Sequence, residues 1–314
     1  MAARLIAVVN MKGGVGKSST IVGLAEALGQ SGPVLVIDAD TQATASYCLA
    51  GNSILKKLHD QKPPKTLDQF LRRRFINKDT SARLSEYIEA SVSQTTTQGS
   101  SEHPTVSLVA SSTTLRLSER EVLRSLTLEK NSLVEIEGKI TDVLKSELGQ
   151  LSNDYAYVLI DCAPGISPLT TAAIAIADLV LVPTVPDAPS FLGLAAFLKS
   201  VVSEMTFDSA RRPPHVLITR LPAKRTTMAW LMQKGRPGRT DHYHEHVEKI
   251  RALEKRAEPP FRLLRTMMPE SRDMPHAMSL GGDSKQHAPT FNYRYGSLRG
   301  SLEKLAVEIE EVLK

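Results

Sequence analysis

The stretch Asn10-Met11-Lys12-Gly13-Gly14-Val15-Gly16-Lys17-Ser18-Ser19 leaves this chain few folds to choose from. The apolar run Leu5 to Val9 before it reads as a buried strand. In Thr20 to Gln30 after it, Ile21, Leu24, Ala25 and Leu28 recur at helical spacing. Strand, glycine-rich turn and helix, in that order, is the setting of a phosphate-binding loop. Glycines let backbone N–H groups face phosphate oxygens with no Cβ in the way. The helix that starts there adds unpaired donors and the positive end of its dipole. In such a loop Lys17 reaches the β- and γ-phosphates and the Ser18 hydroxyl ligates Mg²⁺.

The following segments fit one architecture. Gly32-Pro33 is a turn, and Val34 to Ile37 is a second apolar strand ending at Asp38-Ala39-Asp40. That is a parallel βαβ start. Leu67 to Phe75 and Ala82 to Ala90 read as short helices, and Ser91 to Pro104 as a flexible polar excursion. Strand-like sequence resumes at Val106 to Ala110, and two helical periods follow over Thr114 to Leu128 and Ser132 to Leu148. Tyr157 to Ile160 is an apolar strand closed by Asp161, whose carboxylate at the strand's C-terminal edge can hold Mg²⁺ or its waters. Leu179 to Val182, Val216 to Thr219 and Phe261 to Arg265 are further strands. Ser190 to Val202 reads as a helix, and a terminal helix carries Leu298, Leu302, Leu305, Ile309 and Val312 on one stripe. The expected fold is α/β: one doubly wound, mostly parallel sheet with helices on both faces, forming a single domain over residues 1–314.

The common pattern G-x-x-x-x-G-K-[ST] is not met, because its first glycine position holds Met11. The arrangement K-G-G-x-G-K-[ST]-[ST], Lys12 to Ser19, instead resembles the deviant Walker A box of the ParA/MinD family of P-loop ATPases, ParA-type members above all. Asp38-Ala39-Asp40-Thr41-Gln42 is similar to that family's first switch, D-x-D-P-Q, with Thr for Pro; Asp161-Cys162-Ala163-Pro164-Gly165 is similar to its second switch, D-x-x-P-G. The resemblance implies ATP and Mg²⁺ as cofactors, held by Lys12, Gly13, Gly14, Val15, Gly16, Lys17, Ser18 and Ser19, with Arg220 and Pro269 on the adenine side. It makes Ser18, Asp38 and Asp161 the metal-side residues, and Lys12, Lys17 and Asp40 the catalytic ones. Asp40 would orient the attacking water, and Lys12 would reach the nucleotide of a second subunit. It further implies a homodimer formed on ATP, slow hydrolysis, and a ParB-like or other adaptor that stimulates it. The cargo is a plasmid, a chromosome or a cellular body. A local reading of Asp40 as the N-cap of a helix over Thr41 to Tyr47 stands beside the catalytic one.

Net charge is +5, and its distribution matters more than its size. Arg211, Arg212, Arg220, Lys224, Arg225, Lys234, Arg236 and Arg239 fall in one segment without Asp or Glu. That segment is the expected surface for non-specific DNA, through Arg211, Arg212, Lys224, Arg225, Lys234, Arg236 and Arg239. A MinD-like membrane helix is the alternative, disfavoured by Glu303, Glu308, Glu310 and Glu311 on the terminal helix. An iron-protein-like reductase or metal-cluster carrier is another, disfavoured because Cys48 and Cys162 are the only cysteines and form no ligand cluster. His242, His244 and His246 read as a polar face before a metal site. With no secretory signal and no membrane span expected, the chain is read as cytoplasmic and nucleoid-associated.

Overall fold

The computed structural model describes residues 2–93, 95–96, 103–199, 212–222, 239–257, 260–279 and 290–314, with no side-chain detail for 239–241. Eight strands form one sheet among the described residues: β1 Arg4–Val8, β2 Val34–Ala39, β3 Ile88–Glu89, β4 Val106–Val109, β5 Tyr157–Cys162, β6 Leu179–Thr184, β7 His215–Ile218 and β8 Arg262–Leu263. Their order across the sheet is β3-β4-β2-β5-β1-β6-β7-β8. All neighbours run parallel except β3 and β4. β2 and β6 are buried along their whole length, as strands covered on both faces must be.

The helices are α1 Lys17–Leu28, α2 Thr44–Asp60, α3 Leu67–Leu71, α4 Leu115–Leu128, α5 Leu133–Gln150, α6 Pro168–Ile176, α7 Ala188–Phe197, α8 Arg239–Glu254, α9 Asp273–Ser279, α10 Phe291–Tyr295 and α11 Arg299–Leu313. α1, α2, α10 and α11 pack on one face of the sheet. α3 to α8 cover the other. The layer around α1 is tight. A Cβ built on Gly23 would stand 2.6 Å from Leu302 Cδ2 of α11, so a larger residue there would have to displace that side chain.

Three expectations change. Ala82 to Ala90 is not a helix: a single 3₁₀ turn, Leu84–Tyr87, leads into β3, which pairs antiparallel with β4 at the sheet's edge. The helix of Leu67 to Phe75 ends at Leu71 and continues as a π turn, Arg72–Ile76. The helix expected over Thr41 to Tyr47 begins at Thr44, runs to Asp60 and kinks at Gly51.

Both open edges are short and guarded by charge. At β3, Glu89 pairs with Lys57 and Lys65. At β8, the Leu263 N–H donates to Glu254 at 2.9 Å, and the Arg265 and Thr266 N–H groups donate to Glu308 at 2.7 and 2.8 Å.

Candidate functional site

The turn between β1 and α1 is held open by left-handed backbone at Gly14 and Gly16, with φ of 75° and 91°. An L side chain at either position would be strained. Asn10 braces the base of the turn, donating to the Pro183 carbonyl at 2.8 Å and accepting the Lys12 N–H at 2.9 Å. Across the cleft, the Thr219 hydroxyl donates to the Val15 carbonyl at 2.8 Å, and Arg220 reaches the Gly14 carbonyl at 3.3 Å. A cleft of about 830 Å³ opens at the C-terminal ends of the strands. Gly13, Gly14, Gly16, Lys17, Ser18, Ser19 and Asp40 line one side, and Thr219, Arg220, Met268 and Pro269 the other. Parallel α/β sheets present ligand crevices at this edge.

Lys12 and Val15 are not among the lining residues. Val15 is buried behind the loop. Lys12 turns away and rests on the N-terminus of α7, with its ammonium 3.3 Å from the Asp187 carboxylate and donating to Ser190 Oγ at 2.8 Å. Asp187 caps α7 through the Ser190 N–H at 2.7 Å.

The acidic side of the site comes from adjacent strands. Register pairing sets Asp38 of β2 beside Asp161 of β5. Both are fully buried. Asp38 is saturated: Oδ1 accepts the Asp40 N–H at 3.0 Å, and Oδ2 accepts the Ser46 N–H and hydroxyl at 2.8 and 2.7 Å. Burial pushes its carboxyl up to about 6, against the pull of the Ser46 hydrogen bonds. Asp161 is the opposite case, because neither of its oxygens has a hydrogen-bond partner among the described residues. Burial and the adjacent Asp38 hold it well above the usual carboxylate range. The Ser18 hydroxyl pulls the other way without reaching hydrogen-bond geometry.

Lys17 is the buried cation among these acids, its ammonium 3.3 Å from the Lys12 carbonyl. Burial draws its pKa down, while Asp161 and Asp40 draw it up. One ammonium among three carboxylates leaves negative charge uncompensated, and an orphaned buried carboxylate is costly unless a cation meets it. Asp161 and the Ser18 hydroxyl therefore fit a hard divalent cation, with Asp38 able to reach only its outer waters.

Asp40 does not cap a helix. Ala43, in left-handed conformation, occupies the N-cap of α2, and Asp38 accepts the first-turn N–H of Ser46 in its place. Asp40 Oδ1 accepts the Gln42 N–H at 3.0 Å.

Of the expected DNA contacts, Arg211, Lys224, Arg225, Lys234 and Arg236 lie outside the described residues, as does the side chain of Arg239. Arg212 has another partner: it donates to the Leu313 carbonyl at 3.2 Å and caps the end of α11. Of the four glutamates on α11, Glu308 is turned inward onto the β8 edge. His246 sits on α8 with its ring against the His242 carbonyl at 2.7 Å. Sequence reasoning missed Asp187, Ser46 and Ser111, since nothing local marks a serine or an aspartate as the partner of a residue far along the chain.

The AAA domain family profile matches residues 3–206. The chromosome partitioning protein ParA of Caulobacter vibrioides is 27% identical over 199 residues, 63% of this chain and 62% of that protein. The chain thus matches less than two thirds of that relative's length. Two solved structures share the fold. Cyanothece McdA in an ATP complex has a TM-score of 0.60 at 20% identity, covering 96% of each chain. The pNOB8 ParA bound to nonspecific DNA has a TM-score of 0.62 at 18% identity, covering 98% of this chain and 99% of that one. With phosphate loop, acidic strand ends and sheet order all agreeing, the chain belongs to the AAA domain family, as a ParA-type P-loop ATPase.

Proposed function

We propose that the chain binds ATP with Mg²⁺, dimerises on it, binds DNA without sequence preference as the dimer, and hydrolyses ATP slowly. An adaptor protein would stimulate hydrolysis and couple it to positioning or segregating a cargo. The observation that carries the catalytic half is Asp161, buried next to Lys17 and Ser18 with both oxygens unpartnered among the described residues. That is a pre-formed seat for a cation beside a phosphate loop. Asp161 and Ser18 would hold Mg²⁺, which supplies positive charge at phosphate oxygens when bound. Lys17 and the loop N–H groups add charge where the γ-phosphoryl would lie. Asp40, which lines the cleft, would orient the attacking water and accept a proton from it. Thr219, Arg220, Met268 and Pro269 offer a half-apolar wall for a base.

DNA binding is supported by the pNOB8 relative's complex and by the acid-free basic segment 211–239. Arg212 contributes least to that reading, being committed to α11. A nucleoid location follows from it. The membrane alternative is weaker. No helix of the described residues is long and apolar enough to cross a bilayer, and α11 presents Glu303, Glu310 and Glu311 to solvent-side partners. The metal-cluster alternative is weaker too, since both thiols are buried, with Cys48 pushed up to about 12 and Cys162 raised further by its burial.

The test is sedimentation of the protein with DNA or with anionic liposomes, with and without ATP and Mg²⁺, alongside phosphate release. ATP-dependent pelleting with DNA alone is expected. Phosphate contacts release counterions, so about three contacts per subunit would give a log–log salt slope near −5 for the dimer. Pelleting with liposomes, or no ATP dependence, would overturn the reading.

A further inference from the structure

Asp40 lies in the connection between β2 and α2, a place where a loop residue would ordinarily be free to move. Here both of its backbone polar groups are taken. Its N–H donates to Asp38 Oδ1 at 3.0 Å, and its carbonyl accepts from Ser111 Oγ at 2.7 Å and, within the turn itself, from the Ala43 N–H at 2.9 Å. Ser111 follows the end of β4 and is fully buried. Its own N–H donates to Ser46 Oγ at 2.9 Å, and that hydroxyl donates onward to Asp38 Oδ2 at 2.7 Å. Asp38, Ser46, Ser111 and Asp40 thus close a ring drawn from the end of β2, the first turn of α2 and the end of β4. Asp38, Ser46 and Ser111 are wholly buried, and Asp40 is nearly so.

The ring stands on a rigid base. The neighbouring Ser112 hydroxyl donates to buried Asp68 at 2.7 Å, and Thr114 donates to the same carboxylate at 3.1 Å, so the β4–α4 junction is fixed. On the loop side the chain passes through left-handed backbone at Ala43, a conformation that persists only when its surroundings hold it. The contacts to the Asp40 backbone leave its carboxylate as the part that faces the cleft.

We propose that Ser111, with Ser46 behind it, is a positioning residue for the hydrolytic step. It fixes the Asp40 backbone so that the carboxylate meets water in one orientation. The proposal rests on the ATPase reading above. Ser111 touches neither nucleotide nor water; it acts through Asp40. A serine suits the position because its amide and its hydroxyl serve two different partners. Placement errors near 1 Å cost about a hundredfold in rate, so losing the Ser111 anchor, the one that ties the Asp40 carbonyl to the β4 end, while the Asp38 and Ala43 contacts remain, should cost about tenfold.

The experiment compares wild type, Ser111→Ala and Ser111→Thr for kcat, for affinity toward a fluorescent ATP analogue with Mg²⁺, and for melting temperature. Ser111→Ala should lower kcat about tenfold while analogue affinity stays within about twofold, and Ser111→Thr, which keeps the hydroxyl, should recover most of the rate. If Ser111→Ala does not fold, the near-isosteric Ser111→Cys replaces it, since a thiol is only a weak donor. A kcat within about twofold of wild type, in a wild type that hydrolyses ATP, overturns the positioning role alone. Equal losses of kcat and affinity with no recovery in Ser111→Thr also overturn it, because that is what loosened packing would do. A wild type that binds the analogue but releases no phosphate overturns the ATPase reading and the proposal together.

Discussion

Lys12 and Lys17 lie five residues apart on one loop and have opposite surroundings. Lys17 is buried, aimed along the loop and flanked by Asp161 and Asp40. Hydrogen bonds to charged partners contribute about 1.5–3 kcal/mol each, so Lys17→Ala should weaken ATP binding about a hundredfold. A filter or fluorescence titration checks this; undiminished affinity would remove the phosphate-loop assignment. Lys12 is about one third exposed and paired in its own chain with Asp187. Such a pair stabilises by under about 1 kcal/mol, so Lys12→Ala should barely move the melting temperature. Monomer ATP binding should persist in this variant, while ATP-dependent dimerisation and turnover should be lost. Light scattering with and without ATP decides it, and an ATP-driven dimer of normal strength would exclude a role for Lys12 across the interface. The parked position of Lys12 was invisible in the sequence, because its partner lies 175 residues away and an aspartate before a helix advertises only a cap.

The elements that position the site announce themselves unequally. β1, β2, β5 and β6 are apolar runs, with Asp38 near the end of β2 and Asp161 near the end of β5, so their existence and these edge acids could be read directly. β3 could not: it has two residues, and its pairing with β4 overrides a helix-like local pattern. The kink at Gly51, where the glycine takes a φ of 70°, and the π turn at Arg72–Ile76 lay outside the helical periodicity. β7 carries a titration signature. His215 is buried, and that burial lowers its pKa against the opposing contact with the Pro213 carbonyl at 2.8 Å. The unfolded chain therefore binds more protons than the folded one just below pH ~6.5, and stability from this group falls as pH drops through that value. His215→Gln should flatten the loss of urea stability between about pH 7 and pH 5 relative to wild type. Parallel slopes in the two proteins would place the acid sensitivity elsewhere.

Across the whole molecule, one buried ionic cluster ties distant parts of the chain to the phosphate-loop helix. Glu26 of α1 receives Arg294 at 3.0 Å, the Tyr295 hydroxyl at 2.6 Å and the Ser93 hydroxyl at 3.1 Å, and Arg294 also donates to the Cys48 carbonyl at 2.6 Å. Both members of the ion pair are fully buried. Removing one leaves the other charged and unpaired, so Arg294→Met should cost about 3–5 kcal/mol. The double variant Arg294→Met with Glu26→Gln should regain much of that loss. Urea unfolding of Arg294→Met, Glu26→Gln and the double variant tests it, and additive losses would mean the ions are not coupled through burial. The cluster also shows what sequence periodicity omits, since Glu26 occupies a helix position whose neighbours are all apolar.

The guarded sheet edges have a consequence at high protein concentration. An exposed strand edge offers its unpaired N–H groups to any extended chain nearby. At β8 those groups are already committed to Glu254 and Glu308, and at β3 the strand is two residues long beside Lys57 and Lys65. Copies of the chain at high local density are therefore hindered from pairing edge to edge into fibrils.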